Sequence, residues 1–175
     1  MNIIWITGLS GAGKSTIGAR VVEGLRKNGE QVVYLDGDEL REVFGASCAN
    51  INNHGREGRL ALAMQYSRLC RVIAEQGLTV VIATISMFKE IHSWNRRNLP
   101  GYFEVYLKVP VDELRRRDPK QIYKKFDSGE LSSVAGLDLE IDEPMDADLI
   151  VNFREQATVD ELADKIILKV TERNI

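Results

Sequence analysis

Short apolar runs alternate with longer amphipathic stretches along the 175-residue chain. Continuous apolar runs predict buried strands, whereas apolar positions that recur every three or four residues predict helices with one face against a core. The predicted strands are residues 3–6, 31–35, 78–83, 102–109 and 148–152. Helices are predicted at residues 14–28, 56–76 and 87–98, and after residues 38, 110 and 158. This alternation predicts one α/β domain over residues 1–175, built on a doubly wound, mainly parallel five-stranded sheet.

The first predicted strand leads directly into a phosphate-binding loop of the pattern GxxxxGKS. The loop consists of Gly8, Leu9, Ser10, Gly11, Ala12, Gly13, Lys14 and Ser15, and Thr16 follows it. Its glycines allow a tight turn that points backbone N–H groups at a phosphate, and the start of a helix adds partial positive charge. We expect Lys14 to reach the β- and γ-phosphates of a nucleotide and the Ser15 hydroxyl to bind Mg²⁺.

Polar side chains follow the second and third predicted strands at their carboxyl ends. Asp36 and Asp38 follow the second strand, and Ser86 follows the third. Ligands of open α/β sheets bind at this edge, beside the loop of the first strand. Asp38 is also placed to cap the helix that follows it, and a cap and a catalytic role are compatible. We expect Asp38 to have both roles.

Two groups of basic residues are candidates for binding anions. Arg56 and Arg59 lie one turn apart at the start of a predicted helix, where the helix dipole disfavours cations unless an anion is present. Residues 115–125 contain six arginines and lysines. We interpret this run as part of a mobile lid at about residues 116–140 that closes over phosphates, the alternative being solvated surface. The segment of residues 127–148 is expected to move with the lid.

Composition and charge narrow the class of protein. A net charge of −3 argues against general binding of nucleic acid, which needs a dominant basic field. No apolar run has the length of a membrane span, and no basic segment precedes the first strand, so we expect a cytoplasmic protein. Cys48 and Cys70 belong to no metal or redox motif and are expected to be reduced thiols.

Taken together, the motifs resemble the adenylylsulfate (APS) kinase family of phosphate-loop kinases. The segments that carry the resemblance are WITGLSGAGKST, LDGDELR, GLTVVIATIS, YFEVYLKVP, RRDPKQIYKK and a late DEP, which occur in the family's order and spacing. The resemblance implies transfer of the γ-phosphoryl group of ATP to the 3′-hydroxyl of a nucleotide's ribose, with Mg²⁺. It implies a small nucleotide as the partner and leaves the oligomeric state open, a homodimer being one possibility.

The resemblance also implies roles for individual residues. Lys14, Asp36 and Asp38 would be catalytic, Ser15 and Asp36 would hold the metal, and Arg117 would join the loop in binding ATP. The acceptor nucleotide would be bound by Asp38, Arg41, Phe44, Arg56, Arg59, Ile85, Ser86, Lys120 and Val134.

The acceptor region departs from the family's usual pattern. Two phenylalanines that sandwich the acceptor's adenine in typical members correspond to Ala46 and Val134 here, and stacking of a base on an aromatic ring contributes ~1–3 kcal/mol. The family's Asp-Arg-x-Glu-Asn-Ile-Arg-Arg segment is replaced by His54-Gly55-Arg56-Glu57-Gly58-Arg59-Leu60, which leaves its register open. The chain is similar in this respect to the cytidine diphosphoramidate kinases of bacterial capsule pathways.

Three activities are therefore considered. The favoured acceptor is CDP-phosphoramidate, and the alternative is APS itself, as in sulfate assimilation. A non-kinase NTPase or regulatory switch is the third reading, but the Asn-Lys-x-Asp and Asp-x-x-Gly elements of such GTPases do not occur in the chain.

Overall fold

The computed structural model describes residues 2–45, 55–153 and 157–173. The strands are β1 (Ile3–Thr7), β2 (Val32–Asp36), β3 (Thr79–Ala83), β4 (Tyr102–Lys108) and β5 (Leu149–Asn152). The helices are α1 (Lys14–Lys27), α2 (Gly37–Gly45), α3 (Arg56–Ala74), α4 (Lys89–Asn98), α5 (Val111–Arg117), α6 (Ile122–Asp127) and α7 (Val159–Glu172). Among the described helices, none combines the length and the apolar composition that crossing a membrane requires.

The five strands form one sheet in the order β2-β3-β1-β4-β5, and every neighbouring pair is parallel. The predicted α/β sheet is confirmed. β1 is central and each of its five residues is buried, which explains its continuous apolar sequence. Because the chain crosses from β1 to β2 and back to β3, the carboxyl ends of these three strands lie side by side.

Successive residues of β1 point into two different cores. Ile4 and Ile6 belong to the core that α1 and α7 cover, whereas Ile3 and Trp5 belong to the core under α3 and α4. The last helix begins as its sequence predicts, with a capping box in which Thr158 and Glu161 satisfy each other's backbone N–H groups. Helices pack on both faces of the sheet, which leaves its carboxyl edge to the loops that follow the strands.

The segment between α6 and β5 has little regular structure but many attachments. We call residues 132–148 the strap. Asp138 accepts hydrogen bonds of 2.7 and 2.6 Å from two backbone N–H groups of the strap itself. Glu143 pairs with a lysine of β4 at 2.7 Å, and Asp148 with an arginine of α4 at 2.6 Å. Glu143 and Asp148 therefore fasten the strap to the body of the protein, and Asp138 stabilises a turn within it.

Cys70 is a free thiol buried under the sheet. Burial raises its pKa to about 12, which keeps it in the unreactive thiol form. Cys48 lies outside the described residues.

Candidate active site

The loop between β1 and α1 has the backbone that a phosphate cradle requires. Gly8, Gly11 and Gly13 have φ angles of 152°, 78° and 95°. A Cβ at Gly8 would lie 2.8 Å from the carbonyl oxygen of Leu107, so only glycine fits there. Gly13 stands at the N-terminus of α1, whose first turn therefore faces the loop.

Lys14 is held at the mouth of the loop in a low-polarity setting. Its Nζ donates a hydrogen bond of 2.9 Å to the carbonyl oxygen of Leu9. Burial lowers the pKa of Lys14 to about 8, an effect that Lys120 reinforces and that Asp38 and Asp36 oppose. The ammonium group is still charged at neutral pH, and it is poised to gain more from an incoming phosphate than an exposed lysine would.

Ser15 and Asp36 meet at the edge of the loop. The Ser15 hydroxyl donates to Asp36 Oδ2 at 2.6 Å, and the Tyr34 hydroxyl lies 3.3 Å from the same carboxylate oxygen. No group of three or more His, Cys, Asp or Glu side chains in the described ranges could hold a metal alone. Mg²⁺ at phosphate sites takes one or two protein oxygens and completes its shell with water and phosphate. Ser15 and Asp36 are an oxygen pair that fits this ion.

Asp38 does not cap the helix that follows, contrary to the expectation from sequence. α2 begins at Gly37, so Asp38 lies within its first turn, and Asp36 Oδ1 accepts the Asp38 backbone N–H at 2.9 Å. The Asp38 carboxylate forms an ion pair with Lys120 across the site. Partial burial raises its pKa, but Lys120, Arg41 and Lys14 outweigh that effect, and the net pKa of Asp38 is below its usual value.

A cleft of about 490 Å³, here the main cleft, lies between the phosphate loop, the ends of β2 and β3, residues 119–122 between α5 and α6, and the strap. It brings together, besides the loop residues, Asp36, Asp38, Arg41, Arg59, Ile85, Lys120 and Val134. Beside it is a smaller hollow, here the strap recess, between α2, α3, the end of β3 and the strap. Arg41, Arg59 and Ile85 line both spaces, and Ser86 lines the recess. The two spaces are therefore adjacent and share part of their lining.

Arg59 lies where the main cleft and the strap recess meet, in surroundings that disfavour its positive charge. Its guanidinium donates to the backbone carbonyl of Ser133 on the strap. Burial and the neighbouring Arg41 lower the pKa of Arg59, which Asp138 partly offsets. An anionic group between the two arginines would relieve their mutual repulsion.

Two residues from the sequence prediction lie elsewhere, and a third position is not described. Arg56 pairs with Glu90 and Asp142, each at 3.2 Å, and is not part of the lining of the main cleft or the strap recess. Phe44 packs against Tyr66 with ring centroids 6.0 Å apart and does not line those spaces either. Ala46, one of the two positions of the missing phenylalanines, lies outside the described residues.

A third space of about 350 Å³ opens on the other side of the phosphate loop. Its lining includes Gly13, Thr16, Arg117 and Phe153, with the Arg117 guanidinium 5.2 Å from the centre of the Phe153 ring. An apolar slot with a cation over an aromatic ring suits a planar base. Phe153 belongs to no motif, and no signal in the sequence points to it. Tyr34, whose hydroxyl lies beside the Asp36 carboxylate, also belongs to no motif, and the sequence does not indicate it as a site residue.

A parallel sheet of this order, a GxxxxGKS loop and two carboxylates beside it define a phosphate-loop kinase. Residues 1–152 match the model of the adenylylsulphate kinase family, and the chain belongs to that family.

Individual relatives agree with this assignment. A cytidine diphosphoramidate kinase from Campylobacter jejuni is 39% identical over 168 residues, which cover 96% of this chain and 95% of the relative. An adenylyl-sulfate kinase from Pseudomonas aeruginosa is 32% identical, with 98% of this chain and 86% of the relative covered. The APS kinase of Mycobacterium tuberculosis, solved in complex with AMPPNP and APS, superimposes with a TM-score of 0.87 at 28% identity, covering 97% of both chains. The chain is therefore a kinase of the APS-kinase type.

Proposed function

We propose that the chain transfers the γ-phosphoryl group of ATP to the ribose 3′-hydroxyl of CDP-phosphoramidate. The observation that carries the proposal is Val134, which is buried and lines the main cleft at a position that holds a phenylalanine in typical APS kinases. We call this part of the cleft lining the acceptor wall. The identity to a cytidine diphosphoramidate kinase, 39% against 32% to the APS kinase of Pseudomonas aeruginosa, supports the same acceptor.

The donor would bind along the phosphate loop. The base of ATP would enter the slot between Arg117 and Phe153, and the loop's N–H groups would hold the phosphates. Lys14 would follow the charge that develops on the γ-phosphoryl oxygens during transfer. Ser15 and Asp36 would hold Mg²⁺, which when bound supplies charge neutralisation at the phosphate oxygens.

The acceptor would bind on the opposite side of the main cleft. Asp38 would accept a hydrogen bond from the 3′-hydroxyl and take its proton, as that oxygen bonds to the γ-phosphorus and the bond to the ADP oxygen breaks. The lowered pKa of Asp38 keeps this carboxylate ionised at neutral pH. Arg41 and Arg59 would hold the acceptor's diphosphate-like group.

Val134 makes adenine a poor fit in this wall. An aliphatic side chain gives no stacking face, so a base must be held through its edge. The main cleft offers a polar group for that purpose, because its lining includes Thr84, whose hydroxyl is held by a hydrogen bond of 2.8 Å to the hydroxyl of Ser86. A site that hydrogen-bonds a base edge can discriminate by orders of magnitude, whereas stacking discriminates weakly.

The test is an ADP-release assay with ATP and Mg²⁺ and a panel of CDP-phosphoramidate, APS, CDP and cytidine. We expect the highest kcat/KM with CDP-phosphoramidate, and phosphorus NMR of its product should show a new ribose 3′-phosphate. Efficient use of APS together with no turnover of the cytidine compounds would make the chain an APS kinase, and the assignment of the base pocket would be wrong.

Substitutions at the positions of the two missing phenylalanines test whether these positions determine the choice between the two acceptors. Val134→Phe, alone and with Ala46→Phe, should move the ratio of kcat/KM toward APS. The matched control is Val72→Phe, since Val72 is 55% exposed on α3 and lines neither the main cleft nor the strap recess. An equal change of the ratio in the control would show that the effect does not come from the acceptor wall.

APS is the second candidate acceptor. The observation in its favour is the close superposition on the structure of the APS kinase that was solved with AMPPNP and APS. The same assay decides between the two.

A further inference from the structure

Asp142 of the strap makes four contacts, with Met87 in the turn between β3 and α4, with Lys89 and His92 of α4, and with Arg56 of α3. Its backbone N–H donates to the carbonyl of Met87 at 2.9 Å. Its carboxylate accepts the backbone N–H of Lys89 at 3.1 Å and an Arg56 N–H at 3.2 Å. Its own carbonyl oxygen lies 3.2 Å from His92 Nε2. Backbone and side chain of one residue therefore hold two segments that are distant in the sequence.

The strap and the turn that Asp142 joins both line the strap recess. Leu139 and Ile141, just before Asp142, line it from the strap, and Ser86 and Phe88 line it from the turn. Ser86 has a φ of 35°, a conformation that non-glycine residues adopt only when their surroundings hold them. The junction at Asp142 thus fixes both the separation of the walls and the shape of one of them.

Arg56 contacts Phe88 and Asp142 without lining the recess itself. Its guanidinium carbon lies 5.3 Å from the centre of the Phe88 ring, on a residue that lines the recess, and Glu90 holds its other side at 3.2 Å. Arg56 is therefore placed to brace Asp142 and Phe88 from outside the lining. The pair is partly exposed, with side-chain accessibilities of 39% and 35%, so it contributes little to global stability.

We propose that Asp142 is a positioning residue for the acceptor: it sets the width of the strap recess, and Arg56 influences the acceptor mainly through Asp142 and not by direct contact. The inference rests on the proposed function solely in taking the strap recess as part of the acceptor's binding site. It gives Arg56 a role other than direct contact with the acceptor's anionic groups.

A double-mutant cycle tests the dependence of Arg56 on Asp142. Initial rates are measured for Arg56→Gln, Asp142→Asn and the double variant, with whichever of CDP-phosphoramidate and APS the wild type uses better. Each single variant should raise the acceptor KM on the order of tenfold and change the ATP KM by less than about twofold. The double variant should be no worse than the worse single one, because the two side chains act as a unit. Multiplying effects would show that Arg56 acts independently of Asp142 and would overturn this part of the inference.

Arg41 supplies the matched comparison. It lines both the main cleft and the strap recess, so we place it in direct contact with the acceptor. The effects of Arg41→Gln and Asp142→Asn on the acceptor KM should multiply, in contrast to those of Arg56→Gln and Asp142→Asn. Equal coupling in both cycles would overturn the distinction between the two arginines.

A measurement without turnover separates this inference from the proposed function. Hydrogen–deuterium exchange of the strap amides should speed up in Asp142→Asn and Arg56→Gln, by about tenfold or more, and stay at the wild-type rate in Arg41→Gln. Unchanged exchange in Asp142→Asn would overturn the positioning role. An acceptor preference for APS would overturn only the proposed function, because neither the exchange experiment nor the cycle depends on the base.

Discussion

We expect Lys14 to lower the stability of the nucleotide-free fold and to be required for catalysis. The difference between its pKa of 10.5 in the unfolded chain and about 8 in the folded one corresponds to about 3 kcal/mol of destabilisation at neutral pH. Lys14→Met keeps the length of the side chain and removes the charge. It loses the hydrogen bond to the Leu9 carbonyl, worth about 1 kcal/mol, although that oxygen keeps the Ala12 N–H at 3.2 Å. The nucleotide-free variant should therefore be about 2 kcal/mol more stable, with a Tm about 6 °C higher.

The stability difference between the wild type and Lys14→Met should depend on pH, in a direction set by the protonation of Lys14. Below pH 8 the lysine is protonated in both the folded and the unfolded chain, so the wild type bears the full cost. Between pH 8 and 10.5 the folded chain has lost the proton that the unfolded chain retains, and the stability of the wild type rises with pH. Lys14→Met has no such dependence. Its advantage should therefore shrink by about 2 kcal/mol between pH 7 and pH 9.5.

Urea denaturation of both proteins at the two pH values measures the difference, and the ADP-release assay measures turnover. We expect kcat to fall by about a thousandfold or more, because the ammonium group acts mainly on charge that develops during transfer. A variant less stable than the wild type at pH 7, with a gap that does not change with pH, would refute the electrostatic argument. A variant with near-wild-type kcat would refute the catalytic role of Lys14.

Three further predictions concern the phosphate site and the proposed lid. Ser15→Ala should raise the Mg²⁺ concentration needed for half-maximal activity, and an unchanged requirement would remove Ser15 from the metal site. Gly8→Ala should destabilise the fold by about 2 kcal/mol or more in urea denaturation, because its Cβ would lie 2.8 Å from a carbonyl oxygen of β4; wild-type stability would contradict the close approach. Trypsin should cut after Lys120, Lys124 and Lys125 more slowly with ADP and acceptor bound, and equal rates would leave the basic run as solvated surface.

The phosphate loop and the sheet could be predicted because their signals are local. A GxxxxGKS loop specifies its own backbone, since the glycines and the start of α1 are neighbours in sequence. Strands such as β1 and β3 are recognisable because a parallel strand covered on both faces is apolar at every position. The predicted bounds of the strands and of the longer helices consequently agree with the observed ones within two residues.

The positions of the site residues could likewise be predicted where they depend on local signals, and not where they depend on distant contacts. The sequence alone was enough to put Lys14, Ser15 and Asp36 at one edge of the sheet, because the order of parallel strands and the loops that follow them bring that edge together. Arg56 and Arg59 could not be told apart, since they are one helical turn from each other and share the same residue type. Only the tertiary structure separates them: Asp142, 86 residues further along the chain, pairs with Arg56, while Arg59 lines the main cleft. An ion pair depends on distance in space, and no local pattern records which distant carboxylate will arrive beside a given arginine.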